Sequence, residues 1–231
     1  MKAQKLPAYL RLSIALIMGL AISIVTLKAP DLFRVAEASP PLLSAFVTHT
    51  FMWILSILMT ILLTQGKIGK YGFTKGKFRL TPRIFLWAIP TAVLSVMGFF
   101  ASRAGQDVKE VLELSYLEDI IFLWIYASIC EEIFTRGLLQ SFLSPLTGYG
   151  IKLSKRLRLS LPVLFSGLFF GMMHIVAINK LGPSVIVFAS ALGIVAGYYR
   201  EKTESLIPAI IIHALFNVGG MLPMWILTWL L

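Results

Sequence analysis

Long apolar stretches alternate with short polar ones along the whole chain, and the gaps between them carry charges, prolines or glycines. A helix needs about 20 residues to cross a bilayer, and most of these stretches approach or exceed that length. The pattern therefore predicts an all-α polytopic membrane protein, a bundle of about eight transmembrane helices with seven as the alternative. The apolar runs cover residues 12–27, 42–64, 84–101, 117–143, 161–178, 184–199, 206–218 and 221–231.

The C-terminal end of the chain decides between eight helices and seven. Residues 205–231 would rise about 40 Å as one helix, which is enough for one tilted span. Two full spans would need more residues. Gly219, Gly220 and Pro223 nevertheless predict a break between the last two runs. An eighth helix after that break would be short and would not have to cross fully.

Composition narrows the class of protein. Of the 231 residues, 58% are hydrophobic and 14% are charged, against about 25% charged in an ordinary soluble domain. A soluble fold of this size could not bury so much apolar surface, so a soluble enzyme, a disordered tail and a secreted disulfide scaffold are excluded. A single cysteine, Cys130, excludes an intramolecular disulfide and a CxxC site. The length suits one membrane domain over residues 1–231.

The net charge of +10 is interpreted as a signal of orientation in the membrane. Fifteen of the 21 Lys and Arg residues lie before the first run or in every second gap, and five lie in the alternate gaps. The positive-inside rule then places the N-terminus in the cytoplasm and the acidic segment from Asp107 to Asp119 outside. The basic loops suit anionic lipid, and nucleic acid is not an expected partner. An A-x-A sequence at residues 36–38 lies too far beyond the first run to favour a cleaved signal peptide.

Three ionisable residues, Glu131, Glu132 and Arg136, lie inside the fourth run. Such residues are costly in a bilayer and indicate function by default. Glu132 and Arg136 are four apart, so they share a helix face with the acid N-terminal to the base, the favourable order for an ion pair. Glu131 points about 100° away and has no charged neighbour in the local sequence. We therefore predict that Glu131 is available as a general base or acid, with one structural cluster of all three charges as the alternative.

Two histidines occupy later apolar runs. His174 follows Phe170 by four residues in the fifth run, and His213 precedes Asn217 by four residues in the seventh. Either histidine alone would indicate an interhelical hydrogen bond, because an unsatisfied imidazole is penalised among apolar groups. Together with Asn217 and the carboxylates, they predict a site built by three helices at middle depth. His49, in the second run between two threonines, has no partner in the sequence and is predicted to be structural or interfacial.

Small residues near these positions are interpreted as packing residues. GxxxG patterns join Gly167 to Gly171 and Gly193 to Gly197, and they predict close approach of the helices that carry them. Cys130 adjoins the first glutamate of the fourth run. A thiol nucleophile is conceivable there, but a small apolar packing residue is the preferred interpretation.

The ordered set of motifs resembles the CPBP family, which comprises CAAX prenyl proteases and bacteriocin-processing enzymes and is also called the Abi family. The motifs are EExxxR at residues 131–136, FxxxH at residues 170–174 and HxxxN at residues 213–217. Residues 117–218 resemble the catalytic core, and residues 1–116 match only as additional N-terminal transmembrane helices. The resemblance implies a bundle of eight helices with the active site in a cavity within the membrane.

Carried over residue by residue, the resemblance implies that Glu131 is the catalytic glutamate. The other active-site positions are His174, His213 and Asn217. The positions implied in support are Glu132, Arg136 and Phe170.

Two versions of peptide-bond hydrolysis follow from the resemblance. In the preferred version, without metal, Glu131 takes a proton from water and His174 positions the water or donates to the leaving group. His213 and Asn217 then stabilise the oxyanion. In the second version His174, His213 and Glu131 bind Zn²⁺, which activates the water. The HExxH motif typical of zinc proteases is absent from the sequence, so zinc is not a firm expectation.

The expected substrate is a membrane-associated peptide or protein, prenylated or plain, in the cell membrane of a prokaryote. A prenyl chain partitions into the bilayer, so a site inside the membrane suits such a substrate. Two other classes stay open. One is a non-catalytic regulator or scaffold of the same family, disfavoured by the three intact motifs. The other is a proton-coupled transporter, disfavoured by the lack of a visible inverted repeat.

Overall fold

Seven long helices account for most of the chain in the computed structural model, which describes residues 6–35, 41–79, 82–102, 116–155, 157–177 and 183–230. These helices follow the apolar runs, and within the described ranges the all-α prediction is confirmed. The A-x-A sequence at residues 36–38 and the acidic residues from Asp107 to Glu113 lie outside the described residues. The helices are α1 (Ala8–Leu32), α2 (Pro41–Thr64), α3 (Pro82–Ser102), α4 (116–140), α5 (Leu161–Met173), α6 (Ser184–Thr203) and α7 (Ile207–Leu230).

Helix α4 is the centre of the bundle. Helices α2, α5 and α7 pack around it, while α1 packs on α2, α3 packs on α7, and α6 packs on α5. The turns of α4 are unusually wide, because it is π-helical over Asp119–Ala127 and Ile133–Gln140 and α-helical over Ser128–Glu132 between them. Its C-terminal half is buried throughout. The residues that carry the candidate chemistry therefore lie in the interior of the protein.

The outer helices present apolar side chains outward, as a bundle in lipid would. Ile17 and Ile24 on α1 and Leu62 on α2 are each more than half exposed. Among the described residues, Ala8–Leu32 and Leu42–Thr64 are long and apolar enough to cross a membrane. Shorter apolar helical stretches cover Ile89–Gly98, Leu161–Val176 and Ile207–Pro223.

The GxxxG pairs on α5 and α6 bring these two helices into backbone contact, as predicted. A Cβ added at Gly193 would lie 2.7 Å from Gly167 Cα and 2.8 Å from Arg136 Nη2. These distances are shorter than real Cβ contacts, so the glycine leaves space both for the facing helix and for the guanidinium of α4. Close helix packing and placement of a buried charge depend on the same residue.

The predicted break near the C-terminus is wrong. Residues Ile207–Leu230 form one continuous helix with Pro223 inside it. The two glycines serve packing, because a Cβ at Gly219 would overlap the backbone of Ala92 on α3 and one at Gly220 would lie 2.8 Å from Ser95 Oγ. A proline inside a helix is tolerated in membrane proteins, where neighbouring groups satisfy the freed backbone. Hence the described part of the chain has no separate eighth helix.

Short elements connect the helices at the end of the bundle where α4 terminates. A two-stranded antiparallel hairpin, β1 (Gly150–Lys152) and β2 (Arg158–Ser160), links α4 to α5. The Ser160 hydroxyl then caps α5 by accepting from the Val163 amide at 3.4 Å, and Pro162 in the first turn is compatible with a helix start. Arg200 of α6 donates to Ser141 Oγ at 2.7 Å and to Lys70 O at 3.2 Å, which ties the 65–79 loop to the bundle.

Candidate active site

Glu132 and Arg136 of α4 form the ion pair that their spacing predicts. Arg136 Nη1 donates to Glu132 Oε1 at 3.0 Å, and both side chains are fully buried. The same guanidinium also donates to the Thr135 hydroxyl. Two charges without water stabilise each other only when geometry and hydrogen bonds are good, and removal of one leaves an uncompensated charge. The pair therefore has a structural role, because it neutralises the two charges that α4 buries in the bundle.

Phe170 of α5 completes the surroundings of this ion pair. Its ring lies under the guanidinium, with Arg136 Cζ 4.6 Å from the ring centroid. A desolvated guanidinium over an aromatic face gains a cation–π attraction of up to about 2 kcal/mol. The Phe170 ring also meets the rings of His174 and His213 edge to face, with centroid distances of 4.8 Å and 5.3 Å. Phe170 thus packs between both histidines and the cation.

His213 of α7 bridges the two glutamates. Its Nδ1 lies 2.9 Å from Glu132 Oε1, and its Nε2 lies 3.5 Å from Glu131 Oε2. The ring is almost fully buried, at 3% exposure. The sequence analysis assigned the carboxylates of the fourth apolar run and the histidine of the seventh to one site. The structure joins them, since His213 contacts both Glu131 and Glu132.

Glu131 has a second histidine partner that the sequence analysis did not assign to the site. His49 Nε2, on α2, lies 3.1 Å from Glu131 Oε1. The two residues are 82 positions apart, so no helical spacing could pair them. The only signal in the sequence was an isolated histidine between threonines in an apolar helix. The Glu131 carboxylate is therefore held by α2 on one oxygen and by α7 on the other.

The hydrogen-bond partners of these histidines define which ring nitrogen carries a proton. His49 Nδ1 lies 2.7 Å from the carbonyl of Ala45, and His174 Nδ1 lies 2.8 Å from the carbonyl of Phe170. A carbonyl oxygen only accepts, so Nδ1 donates in both rings and Nε2 carries the lone pair when the ring is neutral. His213 Nδ1 similarly donates to the carboxylate of Glu132.

The same assignment of ring protons leaves Glu131 between two imidazole nitrogens that carry lone pairs when the rings are neutral. Its carboxylate faces the Nε2 atoms of two histidines whose Nδ1 protons are already donated elsewhere. A carboxylate oxygen and an imidazole lone pair attract each other only with a proton between them. The group His49, Glu131 and His213 can therefore hold a proton between the carboxylate and an imidazole.

His174 lies beside this group on the short 3₁₀ turn His174–Ala177 that follows α5. It is half-buried, and its Nδ1 is anchored to the preceding turn of its own helix. Its Nε2 is consequently the atom available to accept from a water or a substrate.

Asn217 lies one helical turn beyond His213 and faces a different part of α4. Its Nδ2 donates to Leu123 O at 2.9 Å and to Ser128 Oγ at 3.1 Å. Leu123 lies in the first π-helical stretch, whose wide turns change the ordinary backbone pairing. The structure therefore places Asn217 at the joint between α7 and α4, and it does not link this side chain by a hydrogen bond to Glu131 or His213.

A zinc ion would need three or four converging ligands. Among the residues the structure describes, no group of three His, Cys, Asp or Glu side chains is arranged to hold a metal ion. Glu131, His174 and His213 as placed do not fit that requirement. Cys130, next to Glu131, is free and buried at 1% exposure, which suits a packing residue.

The described residues thus bring together an acid flanked by histidines and a buried ion pair inside a helical bundle. Residues 113–219 match the family described as type II CAAX prenyl endopeptidase Rce1-like. The match spans slightly less than half of the chain, includes all three motifs, and confirms the resemblance to the CPBP family. At the family level the match supports a CAAX-protease-like intramembrane endopeptidase, and together with the two long apolar helices it indicates a membrane protein. Comparison with curated proteins and with solved structures gave no significant match.

Proposed function

We propose that this protein is an intramembrane endopeptidase in which Glu131 activates the water that cleaves a peptide bond. The observation that carries the proposal is the difference between the two neighbouring glutamates. Glu132 is locked to Arg136 and fully buried, whereas Glu131 retains 14% exposure and faces two imidazole nitrogens. A base needs access to water and a place to pass a proton, and Glu131 alone of the pair has both.

The proposed reaction starts with a water between Glu131 and His174 Nε2. Glu131 takes one proton from this water as the oxygen forms a bond to the scissile carbonyl carbon, whose π electrons move onto the carbonyl oxygen. The tetrahedral intermediate then collapses, the C–N bond breaks, and the leaving nitrogen takes the proton from Glu131. His174 accepts a hydrogen bond from the water and orients it, which agrees with its anchored Nδ1.

Stabilisation of the oxyanion falls to His213. Since its Nδ1 already donates to Glu132, its second donor for the oxyanion is Nε2–H, which is present when both ring nitrogens carry protons. Asn217 has both amide protons engaged by Leu123 O and Ser128 Oγ. Its contribution is therefore to hold α7 against α4.

A lipid-bearing or membrane-embedded peptide is the proposed substrate. An apolar cavity of about 450 Å³ opens between α2 and the N-terminal half of α4. One of its lining residues, Phe122, contacts the His49 ring, so the cavity reaches the side of the acid site. It suits the hydrocarbon chain of a prenylated peptide. The other lining residues are Leu42, Leu43, Phe46, Leu117, Glu118, Ile121 and Tyr126.

The test is cleavage of a panel of prenylated and plain peptides by the purified protein and by Glu131→Gln. We expect the wild type to cleave prenylated peptides preferentially and the variant to lose at least about 1,000-fold in kcat, because the amide cannot take a proton. Equal activity of the two proteins would contradict the role of Glu131. A folded wild type that cleaves nothing across a broad panel would favour a non-catalytic regulator.

A chelator added to the same assay distinguishes metal-free hydrolysis from hydrolysis that depends on zinc. The metal-free reaction predicts unchanged kcat with 1,10-phenanthroline. Loss of activity that added Zn²⁺ restores would replace it with the zinc version.

A further inference from the structure

We propose that His49 is a positioning residue for the hydrolysis, and that it fixes the orientation of the Glu131 carboxylate through Oε1. The inference rests on the proposed function and extends its site to a helix outside the matched residues 113–219. It depends on three features of the structure. The His49 ring is immobilised, helix α2 is anchored to α4, and the Glu131 carboxylate has one partner on each oxygen.

The His49 ring is held independently of Glu131. Its Nδ1 donates to Ala45 O at 2.7 Å on its own helix, and its ring meets Phe122 edge to face with centroids 5.2 Å apart. Both χ angles of the side chain are thereby determined by contacts on two sides. A ring fixed in this way presents Nε2 at one place, and that place is 3.1 Å from Glu131 Oε1.

Helix α2 is also anchored to α4 at the same depth. Thr50 Oγ1 shares a hydrogen bond of 2.6 Å with Tyr126 OH, and Phe46 stacks on the Tyr126 ring with centroids 4.9 Å apart. These contacts involve the residue after His49 and a residue one turn before it. The position of the histidine relative to α4 is therefore set by the helix interface.

The two oxygens of Glu131 have separate partners on separate helices. Oε1 faces His49 on α2, and Oε2 faces His213 on α7 at 3.5 Å. A glutamate has three rotatable side-chain bonds. One partner restrains the position of the carboxylate, and a second partner on the other oxygen also restrains its rotation. Without His49, the carboxylate can turn away from the water and the scissile carbonyl. Misplacement of a reacting group by about 1 Å can cost about 100-fold in rate.

A purely structural role for His49, as a hydrogen-bonding link between two helices, makes different predictions. The test compares three variants in folded, detergent-purified protein, with kcat and KM measured on the best peptide of the panel. His49→Leu removes the contact, and His49→Gln places near the position of Nε2 an amide that can donate an N–H to Glu131 Oε1. Thr50→Val is the matched control, because it removes the adjacent α2–α4 hydrogen bond while the Phe46–Tyr126 stack still holds α2 against α4, and neither His49 nor Glu131 loses a contact.

We expect His49→Leu to lower kcat at least about tenfold with KM within twofold, and His49→Gln to recover most of that loss. Thr50→Val should lower the unfolding temperature and leave kcat within twofold of the wild type. Wild-type kcat in folded His49→Leu, or equal losses of kcat in His49→Leu and Thr50→Val, would overturn the positioning role while the protease assignment stands.

A second measurement does not need activity. In protein with ¹⁵N-labelled histidine, the Nε2 resonance of His49, assigned from its loss in His49→Gln, should shift when Glu131 is changed to Gln. An unshifted resonance would overturn the inference by itself. A shifted resonance in a protein that cleaves no peptide would refute the protease assignment and leave the contact established.

Discussion

Two consecutive glutamates of α4 have opposite surroundings, and helix geometry is the reason. The 100° turn between neighbours directs Glu132 to Arg136 and the packed core, and Glu131 to the side where α2 and α7 meet. Spacing within one helix was enough to predict the first contact. The second could not be predicted, because the partner of Glu131 on α2 comes from a helix 82 positions away with no shared pattern.

Replacing Glu132 should cost more stability than replacing Glu131. Glu132→Gln leaves the fully buried Arg136 without its charged partner, and loss of one member of a buried pair costs about 3–5 kcal/mol. Glu131→Gln keeps a polar side chain of the same size at a partly exposed position, so we expect a smaller loss. Thermal unfolding of both variants in the same detergent measures the difference. A larger drop for Glu131→Gln would contradict the division of roles.

At the scale of elements, the apolar runs predicted about eight helices with seven as the alternative, and they failed at two features. The wide π-helical turns of α4 were not predicted, because a run that is apolar on every side carries no period that separates 3.6 residues per turn from a wider turn. The predicted helix break at Gly219 was wrong because glycine occurs in helices for two different reasons. It can end a helix, or it can let another backbone approach, and on α7 it does the latter against α3.

The contact of α5 with α6 should be sensitive to a single methyl group. Gly193→Ala would place a Cβ 2.7 Å from Gly167 Cα and 2.8 Å from Arg136 Nη2, so a helix or a buried guanidinium must move. Overpacking of this kind costs about 1–3 kcal/mol. We expect a lower unfolding temperature and reduced peptide cleavage. Gly148→Ala is the control, since nothing lies within 4 Å of its Cβ. Equal stability of the two variants would contradict the packing argument.

At the scale of the whole molecule, charges are sorted by depth. The inner part of the bundle holds Glu131, Glu132 and Arg136 among buried partners, whereas the surfaces of α1 and α2 are apolar and exposed. The basic residues lie mainly in alternate loops. This distribution was predictable from the sequence, since the costs of charge in lipid are large and apply to every helix.

The orientation can be tested with introduced cysteines, because the native Cys130 is 1% exposed and should not react. A membrane-impermeant maleimide added to intact cells should label Asp107→Cys, which lies in the predicted outer segment. Lys75→Cys, in an exposed loop predicted to face the cytoplasm, should react only after permeabilisation. The reverse pattern would place the N-terminus outside.

The position of His213 near the end of the chain has a consequence for biosynthesis. Glu132 emerges from the ribosome 81 residues before the histidine that completes its contacts. In the interval, α4 carries Glu131 without its α7 partner and a Glu132–Arg136 pair without its α5 and α7 contacts, and an uncompensated charge costs about 2.5–3.5 kcal/mol at the centre of an inserting helix. We expect α4 to be retained by the insertion machinery until α7 arrives, so that a nascent chain stopped before residue 207 stays crosslinkable to the translocon and the full chain does not.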